Sequence, residues 1–180
     1  MGNAGQSLID TFDYVIGRFS GRLEGLTDDE YFWEPVVGCW SLRETDGRWR
    51  LDGDGGGGPP PDPVPFTTIA WRIGHIGGLC LGGFAESAFG EGEPPPEHWD
   101  YPPAADGVKS FLDVTYGAWR QGMAGLDDDG WDTKLGPKFG PYSEATRFDL
   151  GLHVLDEVVH HAGEVGVLRD LYTHRTELSS

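Results

Sequence analysis

Cysteine, basic residues and long apolar runs are all scarce in this chain of 180 residues. Cys39 and Cys80 are the only cysteines, neither lies in a CxxC motif, and the N-terminus has no apolar signal segment. A disulfide scaffold is therefore not expected, and a cytoplasmic protein with reduced thiols is the simplest interpretation. No apolar run approaches the length of a membrane span.

Positive charge is also scarce, because lysine and arginine together number 13 against 30 aspartates and glutamates. The formal net charge of -17 would repel a phosphate backbone or an anionic lipid surface. We therefore expect no nucleic-acid partner and no membrane partner.

Glycine and proline, by contrast, are abundant, with 29 and 13 residues, and they cluster. The stretches 41–65 and 90–103 contain runs, such as GDGGGGPPPDPVP, that cannot hold a helix or a central strand. Both are predicted to be long irregular loops, and no strand is predicted anywhere. The first loop is either a tolerated insertion or a cover over the mouth of a site, since long loops in compact domains are often functional.

Four segments carry apolar residues at helical spacing and are predicted to be helices over about 6–25, 66–89, 104–125 and 143–172. A short helical turn is predicted after the first, with Thr27 as N-cap and Glu30 as its capping-box partner. Together these elements predict one all-α domain over 1–180, an antiparallel four-helix bundle with long Gly/Pro-rich loops.

The last predicted helix is largely apolar, yet it contains several side chains that could bind a metal. Its histidines and two of its glutamates are His153, Glu157, His160, His161 and Glu164. Glu157 and His161 are four residues apart and share a helix face, so both can hold one ion. This pattern predicts a metal site inside the bundle, with ligands projecting from facing helices.

A third ligand must then come from another helix, and His75 is the only other histidine in an apolar helical stripe. Two nitrogens and one carboxylate leave an open position, as in catalytic zinc sites. Zinc fits these donors, as do nickel, iron and manganese. The HExxH motif is absent, so the usual metalloprotease base is not indicated, and no catalytic residue is assigned.

Alternatives remain open for several of these residues. His75 could be a hydrogen-bonded core histidine rather than a ligand. His153 could replace Glu157 as a ligand or line the pocket. His160 is rotated by about 100° from His161, which favours an outer or interface role. Glu164 could orient a ligand histidine through its other ring nitrogen.

Two segments, TTIAWRIGHI at 67–76 and HVLDEVVHHAGE at 153–164, resemble the DinB-like superfamily, and the turn GLTDDEYFWEP resembles its actinobacterial members. The resemblance implies a four-helix bundle in up-down-down-up order with a divalent metal bound by three side chains. Many members use three histidines. Glu157 instead resembles the mycothiol-dependent maleylpyruvate isomerase branch, with two histidines and a glutamate around zinc. The ligands carried over are His75, Glu157 and His161.

Three functions fit this resemblance. In the first, the metal lowers the pKa of a small thiol such as mycothiol, and the thiolate attacks an electrophilic substrate in a transfer or isomerisation. Arg72 and Arg169 could then hold carboxylates of the cofactor or substrate, or both could simply be surface groups. The second is a non-catalytic metal-binding or stress-response module. The third is a metal-dependent hydrolase with Glu164 or His153 as base. A homodimer is expected, because this superfamily often dimerises.

Overall fold

A computed structural model describes residues 4–56, 61–90 and 99–177. The α-helices are α1 (Ala4–Arg22), α2 (Asp28–Tyr31), α3 (Ile69–Gly74), α4 (Phe84–Phe89), α5 (Val108–Ala124), α6 (Asp128–Asp132) and α7 (Arg147–Thr173). A π-helical segment, His75–Gly83, joins α3 to α4 in one rod. Short 3-10 turns cover Asp52–Gly56, Ala105–Gly107 and Pro137–Tyr142.

Four long helical elements form the core: α1, the α3–α4 rod, α5 and α7. Each turns an apolar stripe inward, and the largest fully buried side chains include Phe12, Ile73, Trp119 and Val158. The predicted all-α bundle is confirmed. The last helix begins later than predicted, at Arg147 rather than near 143. Its start is set by a capping box, in which Thr146 and Asp149 satisfy each other's backbone N–H groups.

The directions of the helices follow from contacts at both ends of each pair. α1 runs parallel to α7, the rod runs parallel to α5, and the rod and α7 are antiparallel. The up-down-down-up order implied by the resemblance is therefore confirmed. The contacts that set it are Leu8 with Gly151, Arg22 with Asp170, Gly77 with Phe111, Phe89 with Gly122, Arg72 with Glu164, and Phe84 with His153.

The prediction of no strands was wrong. β1 (Leu42–Thr45) and β2 (Arg48–Leu51) form an antiparallel hairpin with Thr45 opposite Arg48. The two residues between the strands, Asp46 and Gly47, both have left-handed φ values, of 54° and 74°. Asp-Gly is a strong signal for a two-residue hairpin turn, and the glycine-rich run that follows obscured it.

The remaining loop predictions are tested only in part. Residues 57–60 and 91–98 lie outside the described residues. Around them, 61–65 and 99–103 have no regular helix or strand, as predicted. In the part of the chain that the structure describes, no helix combines the length and the apolarity needed to cross a membrane.

The glycines of the π-helical segment let neighbouring aromatic rings approach its backbone. A Cβ atom on Gly77 would overlap the Phe111 ring, and one on Gly82 would overlap Trp99. Thr68 begins the rod by accepting a hydrogen bond from the backbone N–H of Trp71 at 3.2 Å. The rod is therefore fixed at its start by a cap and along its middle by close packing.

Candidate metal centre

His75, Glu157 and His161 each direct one donor atom to a common place between the rod and α7, and these atoms lie within 4.8 Å of one another. Glu157 Oε2 is 3.3 Å from His75 Nε2 and 3.2 Å from His161 Nε2. Two ligand atoms on one tetrahedral zinc ion, at bond lengths of about 2.0–2.1 Å, are separated by about 3.3–3.4 Å. The two nitrogen–oxygen separations therefore suit a shared ion.

The orientation of His75 is set from outside the triad. Its Nδ1 lies 2.6 Å from the backbone carbonyl oxygen of Gly55, and its ring stacks on Trp71 with centroids 5.1 Å apart and planes at 6°. A carbonyl oxygen only accepts hydrogen bonds, so Nδ1 carries the proton and donates it. In the neutral ring the lone pair is then on Nε2, which faces Glu157.

The Gly55 carbonyl is placed by the turn that follows the hairpin. Asp52 opens this turn: its backbone carbonyl accepts a hydrogen bond from Trp71 Nε1 at 2.9 Å, and its carboxylate accepts from Arg43 Nε at 2.8 Å. Gly55 and Gly56 have left-handed φ values of 67° and 89°. The stretch predicted to be either an insertion or a cover for a site thus contributes a backbone contact to the site.

His161 has a corresponding partner on its own helix. Its Nδ1 lies 2.6 Å from Glu164 Oε2, so the ring N–H donates to this carboxylate and Nε2 faces Glu157. Arg72 pairs with Glu164 in turn, with Nε 3.0 Å from Oε2 and Nη2 3.2 Å from Oε1. Arg72 Nη1 is also 3.0 Å from His161 Nδ1. Both of these atoms carry hydrogens, so they form no hydrogen bond, and Arg72 is held by its ion pair with Glu164.

Both carboxylates of this cluster favour the ionised form. When the His75 ring is protonated, its Nε2–H donates to Glu157, and this hydrogen bond lowers the pKa of Glu157 to about 2 against the effect of burial. The positive charges of His75, His161 and His153 act in the same direction. Burial alone would raise the pKa of Glu164, but the hydrogen bond from His161 and the charge of Arg72 outweigh it and lower that pKa.

The three converging side chains of His75, Glu157 and His161 need a positive charge between them. With the Nδ1 protons committed to Gly55 and Glu164, two nitrogen lone pairs and one ionised carboxylate face each other. Such a group of acceptors is stable only with positive charge among them, supplied by ring protonation or by a metal ion. The side chains of His75, Glu157 and His161 are 12%, 28% and 10% exposed, so the site is sheltered but reachable. These residues therefore fit a divalent metal.

The other candidate residues surround the triad without joining it. His153 Nε2 is 4.0 Å from Glu157 Oε1, whereas His75 and His161 face the other oxygen, Oε2; the His153 side chain is half exposed. His160 is more exposed and lies 3.3 Å from Glu164 Oε1. Glu164 makes the contact that an orienting role would need, because its carboxylate accepts a hydrogen bond from Nδ1 of His161. His98 lies outside the described residues, and His174 is exposed at the end of the chain's last helix.

The suggestion that Arg72 and Arg169 hold substrate carboxylates finds no support in their contacts. Arg72 is paired with Glu164, and Arg169 forms a partly buried ion pair with Glu30, with Nε 2.7 Å from Oε1. Arg169 also donates to backbone carbonyl oxygens at the end of α1. Its contacts tie α2 to α7.

Sequence reasoning missed three contributors: Gly55, Trp71 and Cys80. Cys80 Sγ lies 3.3 Å from His75 Nε2, and both cysteines are buried free thiols. The spacing of Trp71, four residues before His75, was a usable signal for contact on a helix. Gly55 gave no such signal, since its contact depends on how the hairpin folds back onto the rod.

Fold and site together define a helical-bundle protein with a candidate metal centre built from side chains of two facing helices. A comparison with protein families matches residues 11–165 to the DinB superfamily, and the chain belongs to this family. Metal binding is usual in this family, which agrees with the His/Glu cluster. No curated protein and no solved structure matches the chain.

Proposed function

We propose that this protein is a metal-dependent S-transferase or isomerase. His75, Glu157 and His161 bind a divalent ion, with zinc as the first choice, and the ion activates a low-molecular-weight thiol such as mycothiol. The observation that carries the proposal is the convergence of three donor atoms whose outer contacts, to Gly55 and Glu164, already direct both Nε2 lone pairs inward.

Each protein group has a defined task in this proposal. His75 and His161 supply neutral nitrogen ligands, and Glu157 supplies one negative charge. When bound, the cation lowers the pKa of a coordinated thiol, so that the thiolate nucleophile is available at neutral pH. The Arg72–Glu164 pair holds the His161 ring in place. The partial burial of the triad limits competition by water for the electrophile.

The first experiment is elemental analysis of the purified protein. One equivalent of metal per chain is expected, and His75→Ala, Glu157→Gln and His161→Ala should each lose it. His174→Ala removes an exposed histidine far along the same helix and should retain the metal. A wild-type protein that binds no divalent metal would contradict the proposal. Light scattering on the same samples tests the expected homodimer.

The second experiment follows conjugation of mycothiol to the electrophile monochlorobimane by fluorescence. Conjugation should require the metal and should be lost in His161→Ala. An unchanged rate after chelation, or in His161→Ala, would contradict the proposed activity. Turnover of ester or amide substrates without any thiol would instead identify a metal-dependent hydrolase. Metal binding with neither activity would identify a non-catalytic metal-binding or stress-response module.

A further inference from the structure

Cys80 lies beside the triad, although nothing in the three-ligand pattern requires it. Its sulfur is 3.3 Å from His75 Nε2, and the residue is 2% exposed. Glu157 Oε2 meets the same nitrogen at 3.3 Å. The lone pair of His75 therefore faces two potential anionic donors, one carboxylate and one sulfur.

The separation of sulfur and nitrogen suits ligands on one ion. With zinc–nitrogen bonds of about 2.0–2.1 Å and a zinc–sulfur bond of about 2.3 Å, tetrahedral geometry separates the two atoms by about 3.5 Å. The sulfur flanks the three mutually close donor atoms on the His75 side rather than lying among them. Rotation of the Cys80 side chain about its Cα–Cβ bond would change the distance from its sulfur to the donor atoms of Glu157 and His161.

The π-helical segment explains how Cys80 reaches this position. On a regular α-helix, residues five apart are turned by about 140° from each other and do not share a face. The wider turn of a π-helix, with its i→i+5 hydrogen bonds, brings such residues to the same side. His75 and Cys80 lie within the segment His75–Gly83. The π-helical geometry of this segment therefore places the Cys80 sulfur beside the His75 ring.

The other cysteine shows that this contact is not a general consequence of burial. Cys39 is equally buried, at 2% exposed, but its thiol donates to the backbone carbonyl of Val36 at 2.8 Å. Cys80 instead meets a ring nitrogen of a proposed metal ligand. Cys39 is thus a matched control for every experiment on Cys80.

From these observations we infer that Cys80 is a fourth protein ligand, which completes a site of two imidazoles, one carboxylate and one thiolate. The inference rests on the proposed function only in requiring that the triad binds an ion. A sulfur donor favours zinc over hard cations such as magnesium or manganese. With a metal held by these four side chains, Cys80 would be the ligand that a small thiol could replace, and its sulfur would then take up the proton that this thiol gives up.

X-ray absorption at the zinc edge of the loaded wild-type protein tests the inference without any mutation. A sulfur scatterer at about 2.3 Å is expected beside the lighter ligands at about 2.0–2.1 Å. The sulfur signal should persist in Cys39→Ser, which leaves Cys80 as the single thiol. A shell of nitrogen and oxygen alone would overturn the fourth-ligand inference and leave the triad intact.

Cobalt substitution provides the matching spectroscopic test. Cobalt-loaded wild type and Cys39→Ser should show a thiolate-to-cobalt charge-transfer band in the near ultraviolet, and Cys80→Ser should lose it. Retained visible ligand-field bands in Cys80→Ser would show that this variant is folded and that the triad still binds. Ligand-field bands without charge transfer in wild type would overturn the inference alone. Failure of wild type to bind cobalt or zinc would overturn it together with the proposed function.

Discussion

The two sides of the candidate metal centre are oriented by different means. On α7, His161 is held by Glu164, which is three residues away on the same helix. On the rod, His75 is held by the carbonyl of Gly55, which is 20 residues upstream in the turn after the hairpin. One contact is local and needs only a helix, whereas the other exists only once the hairpin has packed onto the rod.

Only one side of the site therefore depends on the packing of distant parts of the chain. The contact between His161 and Glu164 lies within α7 and keeps its spacing wherever α7 remains helical, and Arg72 of the rod adds an ion pair to it. The rod side depends on Asp52, Trp71 and the left-handed turn between them, so that distant changes can reach His75. Substitutions on the α7 side should therefore change metal affinity without changing the stability of the fold, whereas substitutions on the rod side should change both.

The largest effect is expected on the local side. Glu164→Gln removes the carboxylate that accepts from His161 and leaves Arg72 without its charge partner. Metal affinity should fall by about 10–100-fold, as is typical when an outer partner of a ligand histidine is lost. Competition with a chromophoric chelator measures this fall. Asp156→Asn, an exposed charge removal on the same helix, should leave the affinity unchanged; equal affinities in both variants would refute the orienting role of Glu164.

The next effect is expected on the non-local side. Gly56→Ala places a Cβ at a φ of 89°, 3.3 Å from Trp71 and 3.5 Å from His75. The strain should cost about 1–3 kcal/mol of folding free energy and should displace the Gly55 carbonyl, which lowers metal affinity. Gly136→Ala imposes similar strain at a φ of 79°, outside the hairpin and with open space around it. Thermal unfolding should show both losses of stability, whereas only Gly56→Ala should weaken metal binding.

A smaller effect is expected for Trp71→Phe. The ring that stacks on His75 is kept, but the indole N–H that donates to the Asp52 carbonyl is lost. The loss of a single hydrogen bond of about 0.5–1.5 kcal/mol corresponds to a metal affinity weaker by about 2–13-fold. Isothermal titration with zinc resolves a change of this size. An affinity loss as large as that of Glu164→Gln would mean that stacking, rather than the turn, positions His75.

The smallest effect on the metal is expected at the start of α7. Thr146→Ala removes the N-cap and should cost about 1 kcal/mol of stability with unchanged metal affinity. Hydrogen bonds from Thr146 lower the pKa of Asp149, so the stability from this contact is complete above the unfolded pKa of 3.8 and is lost as the pH falls through the lower folded value. The difference in unfolding temperature between wild type and Thr146→Ala should therefore shrink below about pH 4. A difference that stays constant would contradict the capping box.

The features of the fold and the site that depend on helical periodicity could be predicted from the sequence. The four long helices follow from apolar spacing, and Glu157 and His161 follow from an i,i+4 pair; the structure brings His75 to them as expected. The hairpin was missed because its Asp-Gly turn stands close to a long glycine-proline run. Cys80 was missed because α-helical spacing places it away from His75, and only the π-helical segment brings the two together.

The most direct test of the triad is anomalous diffraction at the zinc edge from crystals of the zinc-loaded protein. One peak is expected at about 2.0–2.2 Å from Nε2 of His75, Nε2 of His161 and a carboxylate oxygen of Glu157. Absence of a peak at this place, or a peak bound by other side chains, would contradict the proposed metal centre.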